Sequence, residues 1–141
     1  MNIILDTNIV IDAIASRIPF NKEAEQIIRL AAGQSLISAI TASTASDVYY
    51  IARKHLKDTK ETIIQLKKLF TIVDIISVDK SDCLAAFDTG ISDYEDSLLA
   101  VCTMKWGADF IITRNTKDFI NSPVLAVKPD DFLERRGDEK Q

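Results

Sequence analysis

Residues 2–8 read Asn-Ile-Ile-Leu-Asp-Thr-Asn, a short run of large apolar side chains that ends abruptly at the carboxylate of Asp6. A short apolar run of this kind is typical of a fully buried β-strand. An ionised carboxylate is costly to bury, so it belongs at the end of such a strand and not inside it. The opening of the chain therefore predicts a buried strand over residues 2–5, with Asp6 directly after its carboxyl end.

The same alternation of apolar runs and helical periodicity continues along the chain. Further strands are predicted at 35–41, 73–78 and 109–113, with a candidate fifth at 124–127. The spacing of apolar side chains predicts helices between them, two of which have marked starts: Ser43 as an N-cap, and the capping box Ser92-Asp93-Tyr94-Glu95. Strands that alternate with helices favour a three-layer α/β/α sandwich with a mainly parallel central sheet of four or five strands.

Length and composition indicate one globular domain. The chain has 141 residues, of which 47% are hydrophobic and 27% charged. We expect a single domain over residues 1–136, which ends in a short helix over 129–136, and a polar tail over residues 137–141. With 17 basic and 21 acidic side chains the net charge is −4, so general electrostatic attraction does not explain binding to a nucleic acid.

Other sequence features exclude several classes of protein. The carboxylate of Asp6 comes too early for a signal peptide, and no apolar run approaches the roughly 20 residues that cross a bilayer. Cys83 and Cys102 are isolated, so they form neither a zinc motif nor a disulfide framework. We therefore expect a cytoplasmic protein without a membrane-spanning segment.

Acidic side chains collect at one edge of the predicted sheet. Asp6 follows the first strand, and Asp47 lies near the start of the helix after the second strand. Asp96 lies at the start of the buried helix that leads into the fourth strand, after which Asn115 and Asp118 follow. Because ligands of such sheets bind at the carboxyl ends of the strands, we expect these side chains to share a site.

Crowded carboxylates repel one another, and a divalent cation is the natural way to neutralise them. Oxygen ligands without His or Cys favour Mg²⁺ or Mn²⁺ over zinc. Such an ion activates water and stabilises a phosphoryl transition state, which also allows an acidic protein to act on a polyanion. The simpler alternative is that these residues only cap helices: the capping box explains Glu95 and Asp93 well, and Asp6 could cap the helix that starts near Ile9.

Three motifs, in matching order and spacing, resemble those of the PIN domain, a nuclease family that includes VapC-type toxins. Ile4-Leu5-Asp6-Thr7-Asn8 resembles the N-terminal motif of the family. Residues 93–100, Asp-Tyr-Glu-Asp-Ser-Leu-Leu-Ala, resemble its central motif. Residues 108–119, Ala-Asp-Phe-Ile-Ile-Thr-Arg-Asn-Thr-Lys-Asp-Phe, resemble its third motif.

The resemblance implies a metal-dependent endoribonuclease that uses Mg²⁺ or Mn²⁺, and it suggests the toxin of a toxin–antitoxin pair. The implied catalytic residues are Asp6, Asp47, Asp96 and Asp118, of which Asp6, Asp96 and Asp118 would be the metal ligands. The implied supporting residues are Thr7, Asn8, Asp93, Thr113 and Asn115. The resemblance also implies an RNA substrate, a small antitoxin partner and a homodimer.

Two positions depart from the family pattern. Asp47 stands where the family usually has the longer Glu, and Asn115 stands where many members have Asp. Asp118, three residues later, is the candidate substitute for the missing charge. These departures keep open an alternative function, that of a catalytically weak or inactive PIN-like module that binds nucleic acid or protein.

Basic residues offer candidate contacts to RNA. Arg114 and Lys117 flank Asn115, and Arg53 and Lys54 belong to a cluster of cations in one helical hairpin. The commoner interpretation of that cluster is an ordinary solvated helix surface.

Two other enzyme or signalling classes fit less well. A phosphatase of the haloacid dehalogenase type also places an Asp after its first strand but requires Asp-x-Asp, and the third residue here is Asn8. A response-regulator receiver fits least, because no adjacent acidic pair follows that strand.

Overall fold

A five-stranded parallel sheet forms the centre of the computed structural model, which describes residues 1–139. Its strands lie in the order β3-β2-β1-β4-β5, and each pairs in parallel with its neighbours. The strand bounds are β1 Asn2–Leu5, β2 Ile37–Thr41, β3 Asp74–Ile76, β4 Phe110–Ile112 and β5 Ala126–Val127. The predicted first strand therefore occupies the middle of the sheet, and the candidate fifth strand is present.

Helices connect the strands and cover both faces of the sheet. Their bounds are α1 Thr7–Ile14, α2 Asn21–Ala32, α3 Ala42–Leu56, α4 Thr59–Ile72, α5 Lys80–Ala85, α6 Tyr94–Trp106 and α7 Pro129–Glu139. Two short 3-10 helices, Ala86–Asp88 and Thr116–Phe119, complete the set in the described part of the chain. None of the helices within residues 1–139 is long and apolar enough to cross a membrane.

Alternate side chains of β1 supply two separate cores. Ile3 and Leu5 pack into a cluster with side chains from α1, α2, α3, α4 and α7, whereas Ile4 packs on the other face with Leu98 and Leu99 of α6. All three β1 side chains are fully buried, as expected for a strand covered on both faces. The predicted three-layer α/β/α sandwich is thus confirmed.

Both marked helix starts were placed wrongly by the sequence patterns. Helix α3 begins earlier than predicted, with Thr41 instead of Ser43 as N-cap, because the Thr41 hydroxyl accepts the backbone N–H of Thr44 at 3.0 Å. Helix α6 has no Ser92 capping box, since Asp93 is the N-cap and accepts the N–H of Asp96 at 3.0 Å. An ionised carboxylate interacts more favourably with the positive end of the helix dipole than a hydroxyl does.

The remaining differences concern where elements end. Strands β2 and β5 begin two residues later than predicted, whereas β3 and β4 are shorter than predicted at both ends. Helix α7 continues to Glu139, beyond the predicted end of the domain at Arg136, so the first residues of the predicted tail are helical. Residues 140 and 141 of that tail lie outside the described residues.

The N-cap of α3 can be tested directly, because the chain offers a matched control at Ser43. Thr41→Ala removes the hydroxyl that accepts the Thr44 N–H, and we expect it to lower the free energy of unfolding by about 1 to 2 kcal/mol. Ser43→Ala should change it by less than about 0.5 kcal/mol. Urea denaturation followed by circular dichroism measures both, and an equal loss in the two variants would contradict the assignment.

Candidate functional site

The carboxyl ends of β1 and β2 and the N-terminal end of α6 border one open cavity of about 440 Å³, here called the acidic pocket. Four carboxylates from three regions of the chain line it: Asp6, Asp47, Glu95 and Asp96. The polar side chains of Thr41, Ser43, Thr44 and Asn115 line it as well. The predicted gathering of chain-distant acidic residues at one sheet edge is therefore present.

Asp6 is held at its place by three hydrogen bonds. Its Oδ1 accepts the backbone N–H of Thr7 at 2.8 Å, which caps α1. Its Oδ2 accepts the Thr113 hydroxyl at 2.8 Å and the Asn8 side-chain amide at 3.3 Å. Both oxygens of the half-buried carboxylate are thus oriented before any ligand binds.

The residues that support Asp6 are linked to one another. The amide nitrogen of Asn8 also donates to the Thr113 hydroxyl at 3.4 Å, and the Asn8 carbonyl oxygen accepts the backbone N–H of Arg114 at 3.3 Å. Thr113 Oγ1 in turn accepts the backbone N–H of Asn115 at 3.1 Å. This network connects the loop after β4 to the start of α1 and thereby holds Asn8 and Thr113 in place beside the Asp6 carboxylate.

Crowding raises the pKa values of the pocket carboxylates. Burial raises the pKa of Asp96 to about 7, and the negative charges of Asp6, Asp93, Asp118 and Glu95 add to this effect. The pKa of Asp6 is raised by burial and by the charge of Asp118, against hydrogen bonds from Thr113, Thr7 and Asn8 that lower it. Two carboxyl groups in one open pocket therefore retain protons above their ordinary range.

Glu95 belongs to the pocket, and the sequence analysis missed it. The carboxyl group of Asp47 raises the pKa of Glu95, and both side chains line the pocket. The motif pattern assigned Glu95 to a capping box that does not form. Its position in the first turn of α6, directly before Asp96, was the signal that could have revealed it.

Asn115 and Asp118 lie on the turn after β4, in different relations to the pocket. Asn115 lines the pocket and precedes the 3-10 helix that carries Asp118. Asp118 is exposed and does not line it, yet its charge raises the pKa of both Asp6 and Asp96. Asp118 therefore acts on the pocket electrostatically, while the side chain of Asn115 faces it.

The other residues predicted for the site lie around the pocket or on the protein surface. Asp93 caps α6, and Thr7 supports Asp6 through its backbone only. Lys117, Arg53 and Lys54 are exposed, and the Nε of Arg53 donates to Thr59 at 3.2 Å.

Arg114 is held by an aspartate that the sequence analysis did not single out. Its Nε donates to Oδ2 of Asp12 at 2.7 Å, and its guanidinium lies 4.0 Å from the centre of the Phe20 ring. Asp12 is fully buried and also accepts the Nε of Arg17 at 2.9 Å. The signal for this cluster was Asp12 itself, a charge within the apolar stretch Ile9–Ile14, because a buried carboxylate requires a partner.

The pocket offers the oxygen ligands that a hard divalent cation prefers, but these are not arranged as a preformed coordination shell. Its donors are carboxylate, hydroxyl and amide oxygens, which suit Mg²⁺ or Mn²⁺. Within residues 1–139, no group of three or more His, Cys, Asp or Glu side chains is arranged so that it could hold a metal ion. The residues fit such an ion in kind and charge, and the carboxylates would have to draw together around it.

Comparison with known proteins shows which family and fold the chain resembles. The sequence model of the PIN domain family matches residues 2–117. No curated protein sequence matches the chain. VapBC2 from Rickettsia felis, solved bound to a DNA fragment from its promoter, has a TM-score of 0.69 at 19% identity and covers 91% of this chain and 98% of its own.

Two further solved structures are similar to a comparable degree. A toxin–antitoxin complex from Klebsiella pneumoniae has a TM-score of 0.65 at 24% identity, over 89% of this chain and 96% of its own. VapC20 from Mycobacterium tuberculosis, described as a sarcin–ricin loop cleaving toxin, has a TM-score of 0.61 at 14% identity, over 77% of this chain and 86% of its own. At these identities the likeness shows the fold.

The raised pKa of Asp96 makes the stability of the metal-free protein depend on pH. Since the folded state holds this proton up to about pH 7, and an unfolded Asp loses it near 3.8, stability present below pH 3.8 is lost as the pH rises through 7. Asp96→Asn removes the charge, so we expect a higher Tm than wild type at pH 8 with chelator, and nearly the same Tm at pH 4.

The matched control is Asp74→Asn, which neutralises an exposed aspartate at the start of β3, at the opposite edge of the sheet. Scanning calorimetry between pH 4 and 8 measures the difference. If Asp96→Asn stabilised the metal-free protein no more at pH 8 than at pH 4, the electrostatic account of the pocket would be wrong.

Proposed function

Because this chain belongs to the PIN domain family, we propose that it is a metal-dependent endoribonuclease that hydrolyses RNA phosphodiester bonds. The observation that supports this most is the acidic pocket, in which Asp6, Asp47, Glu95 and Asp96 converge at the carboxyl edge of the sheet. Carboxylates that repel one another at neutral pH are suited to a divalent cation. A cation bound there would also attract the phosphate backbone that the net charge of the protein repels.

The acidic residues have proposed roles. Asp6 and Asp96 would be the principal ligands of Mg²⁺ or Mn²⁺, and Asp118 and Asp47 would complete the shell directly or through water. When bound, the ion lowers the pKa of water and stabilises the charge that develops on phosphate. Thr113 and Asn8 hold the Asp6 carboxylate in one orientation, which limits the reorganisation that binding requires.

The carboxyl pair of Asp47 and Glu95 is suited to handling protons. The carboxyl group of Asp47 raises the pKa of Glu95, so Glu95 keeps its proton to a higher pH than an isolated glutamate would. Both carboxyl groups line the acidic pocket, where the proposed reaction releases a proton from the attacking water. Asp47 is shorter than Glu, and Glu95 brings a longer acidic side chain to the same pocket.

The proposed biological role is that of a toxin held inactive by a small antitoxin. Two of the similar structures are a VapBC pair and a toxin–antitoxin complex, and a third is an RNA-cleaving toxin, which supports the role by analogy of fold and family. A cytoplasmic homodimer is part of this proposal. Lys117, Arg114, Arg53 and Lys54 remain predicted contacts to RNA.

A second candidate function is a PIN-like binding module without turnover. The neutral side chain of Asn115 in the pocket, and the lack of a preformed metal-binding trio in residues 1–139, favour it. Titration with Mn²⁺ separates the two functions, because an inert module need not bind the ion.

Asp6→Asn tests the nuclease directly. Asn is as good an N-cap as Asp, so the start of α1 should remain, although the Asn NH₂ group cannot accept the bonds that Oδ2 accepts from Thr113 and Asn8. The loss of a charged ligand should abolish cleavage in a chain that circular dichroism shows to be folded. Cleavage of a mixed RNA pool in Mg²⁺ or Mn²⁺, with and without chelator, measures the effect. Asp74→Asn serves as the control and should cleave like wild type; cleavage that survived Asp6→Asn would refute the assignment.

Asn115→Asp tests whether the departure at this position weakens metal binding. The change adds a fifth carboxylate to the pocket lining, from a part of the chain that otherwise contributes none. We therefore expect Mn²⁺ to bind about tenfold more tightly at pH 8. Isothermal titration calorimetry measures the Kd. Asp118→Asn should weaken Mn²⁺ binding, because it removes a negative charge that acts on Asp6 and Asp96. An unchanged Kd in Asn115→Asp would contradict the prediction.

A further inference from the structure

Arg17 is a cation in the wall of the acidic pocket. It follows α1 in the chain, its side chain is 32% exposed, and it lines the same cavity as Asp6, Asp47 and Asp96. Among the described residues it forms an ion pair with Asp12 and with none of the pocket carboxylates. A long cationic side chain beside several carboxylates, yet paired elsewhere, requires an explanation.

Asp12 fixes Arg17 at two points. Its Oδ1 accepts the Nε of Arg17 at 2.9 Å, and its backbone carbonyl accepts the Arg17 N–H at 3.1 Å. Asp12 is fully buried, so the contact is shielded from solvent and the guanidinium cannot swing freely. Among residues 1–139, Arg17 forms its ion pair with Asp12 and not with Asp6 or Asp96, which leaves those two carboxylates available to a metal ion.

The Asp12 cluster carries a surplus positive charge at the pocket. One carboxylate is shared by two guanidinium groups, since Arg114 donates to Asp12 through Nε at 2.7 Å and through its Nη2 at 3.4 Å. Arg114 thus donates through two of its three side-chain nitrogens, and its guanidinium also lies over the ring of Phe20. The net charge of the three side chains is +1, and Arg17 is the member that reaches the acidic pocket.

The terminal nitrogens of Arg17 retain their donors. Nε is the only side-chain nitrogen of Arg17 that donates a hydrogen bond to any of residues 1–139. Two NH₂ groups in one plane match two oxygens of a phosphate, and guanidinium is the side chain best suited to bidentate phosphate binding. The donors, the fixed position and the surplus charge therefore suit one ligand, an RNA phosphodiester.

We propose that Arg17 binds a backbone phosphate of the RNA strand in the acidic pocket, held ready by Asp12. The inference rests on the proposed ribonuclease function and names a substrate-binding residue for it. It resolves an electrostatic conflict, because a pocket lined by four carboxylates needs a cation of its own to hold a polyanion beside the metal.

The test measures RNA binding in a chain that cannot cleave. In an Asp96→Asn background with Mg²⁺ present, the Kd of a fluorescent single-stranded oligoribonucleotide is compared with and without Arg17→Ala. We expect Arg17→Ala to raise the Kd at least about tenfold and to reduce the slope of log K against log salt by about 0.7, the contribution of one phosphate contact.

Two further variants separate phosphate binding from a structural role. Arg29→Ala removes the same charge on the exposed side of α2, outside the acidic pocket, and should change neither the Kd nor the slope. Arg17→Lys keeps the charge but loses the planar pair of donors. Its salt slope should therefore equal that of the parent, while its Kd lies between those of the parent and Arg17→Ala. It also guards against a failure of Arg17→Ala to fold, which its Tm would reveal.

The outcomes distinguish this inference from the proposed function. If Arg17→Ala or Arg17→Lys raises the Kd with the slopes stated above, the inference is supported. If Arg17→Ala binds RNA like its parent, or loses affinity with an unchanged salt slope, Arg17 only neutralises Asp12 and the inference is wrong, even where wild type cleaves RNA. If wild type with Mg²⁺ or Mn²⁺ neither binds nor cleaves RNA, the ribonuclease proposal fails and the inference with it.

Discussion

The hydrogen-bonded pairing of β1 with β4 is the constraint on which the site depends. Leu5 stands opposite Ile112, and the backbone N–H of Asp6 donates to the Ile112 carbonyl at 3.0 Å, so the ladder continues one step beyond the strands. That step brings Asp6 beside Thr113, whose hydroxyl then fixes the carboxylate. A slip of one residue in this register would turn the alternate side chains of β1 to the wrong cores and separate these two residues.

The site contains carboxylates that repel one another and a carboxylate that is neutralised. In the acidic pocket, burial and mutual repulsion raise the pKa of Asp96 to about 7 and raise the pKa of Asp6. Beside the pocket, Asp12 is completely buried and forms ion pairs with two arginines. Among the described residues both arginines form their ion pairs with Asp12 and not with the pocket carboxylates, which leaves those carboxylates free for a cation.

The sequence was informative where a local pattern determines structure. Strand β1 and its terminal carboxylate follow from a four-residue apolar run, and the alternation of elements predicts that Asp6, Asp47 and Asp96 share an edge. Helix starts were less predictable, because Thr41 and Ser43 have equivalent capping chemistry and only the end of β2 decides between them. The contact between Asp12 and Arg114 spans 102 residues and forms only once β1 and β4 pair, so no local pattern contains it.

The geometry of the turn after β4 explains how a charge displaced in sequence still acts on the pocket. Asn115 precedes a 3-10 helix, and the backbone N–H of Asp118 donates to the Asn115 carbonyl at 3.0 Å. Asn115 lines the pocket, whereas Asp118, on the 3-10 helix that follows, is exposed and does not line it. The Coulomb interaction between two charges falls off only as the inverse of their distance, so Asp118 raises the pKa values of Asp6 and Asp96 although it does not line the pocket.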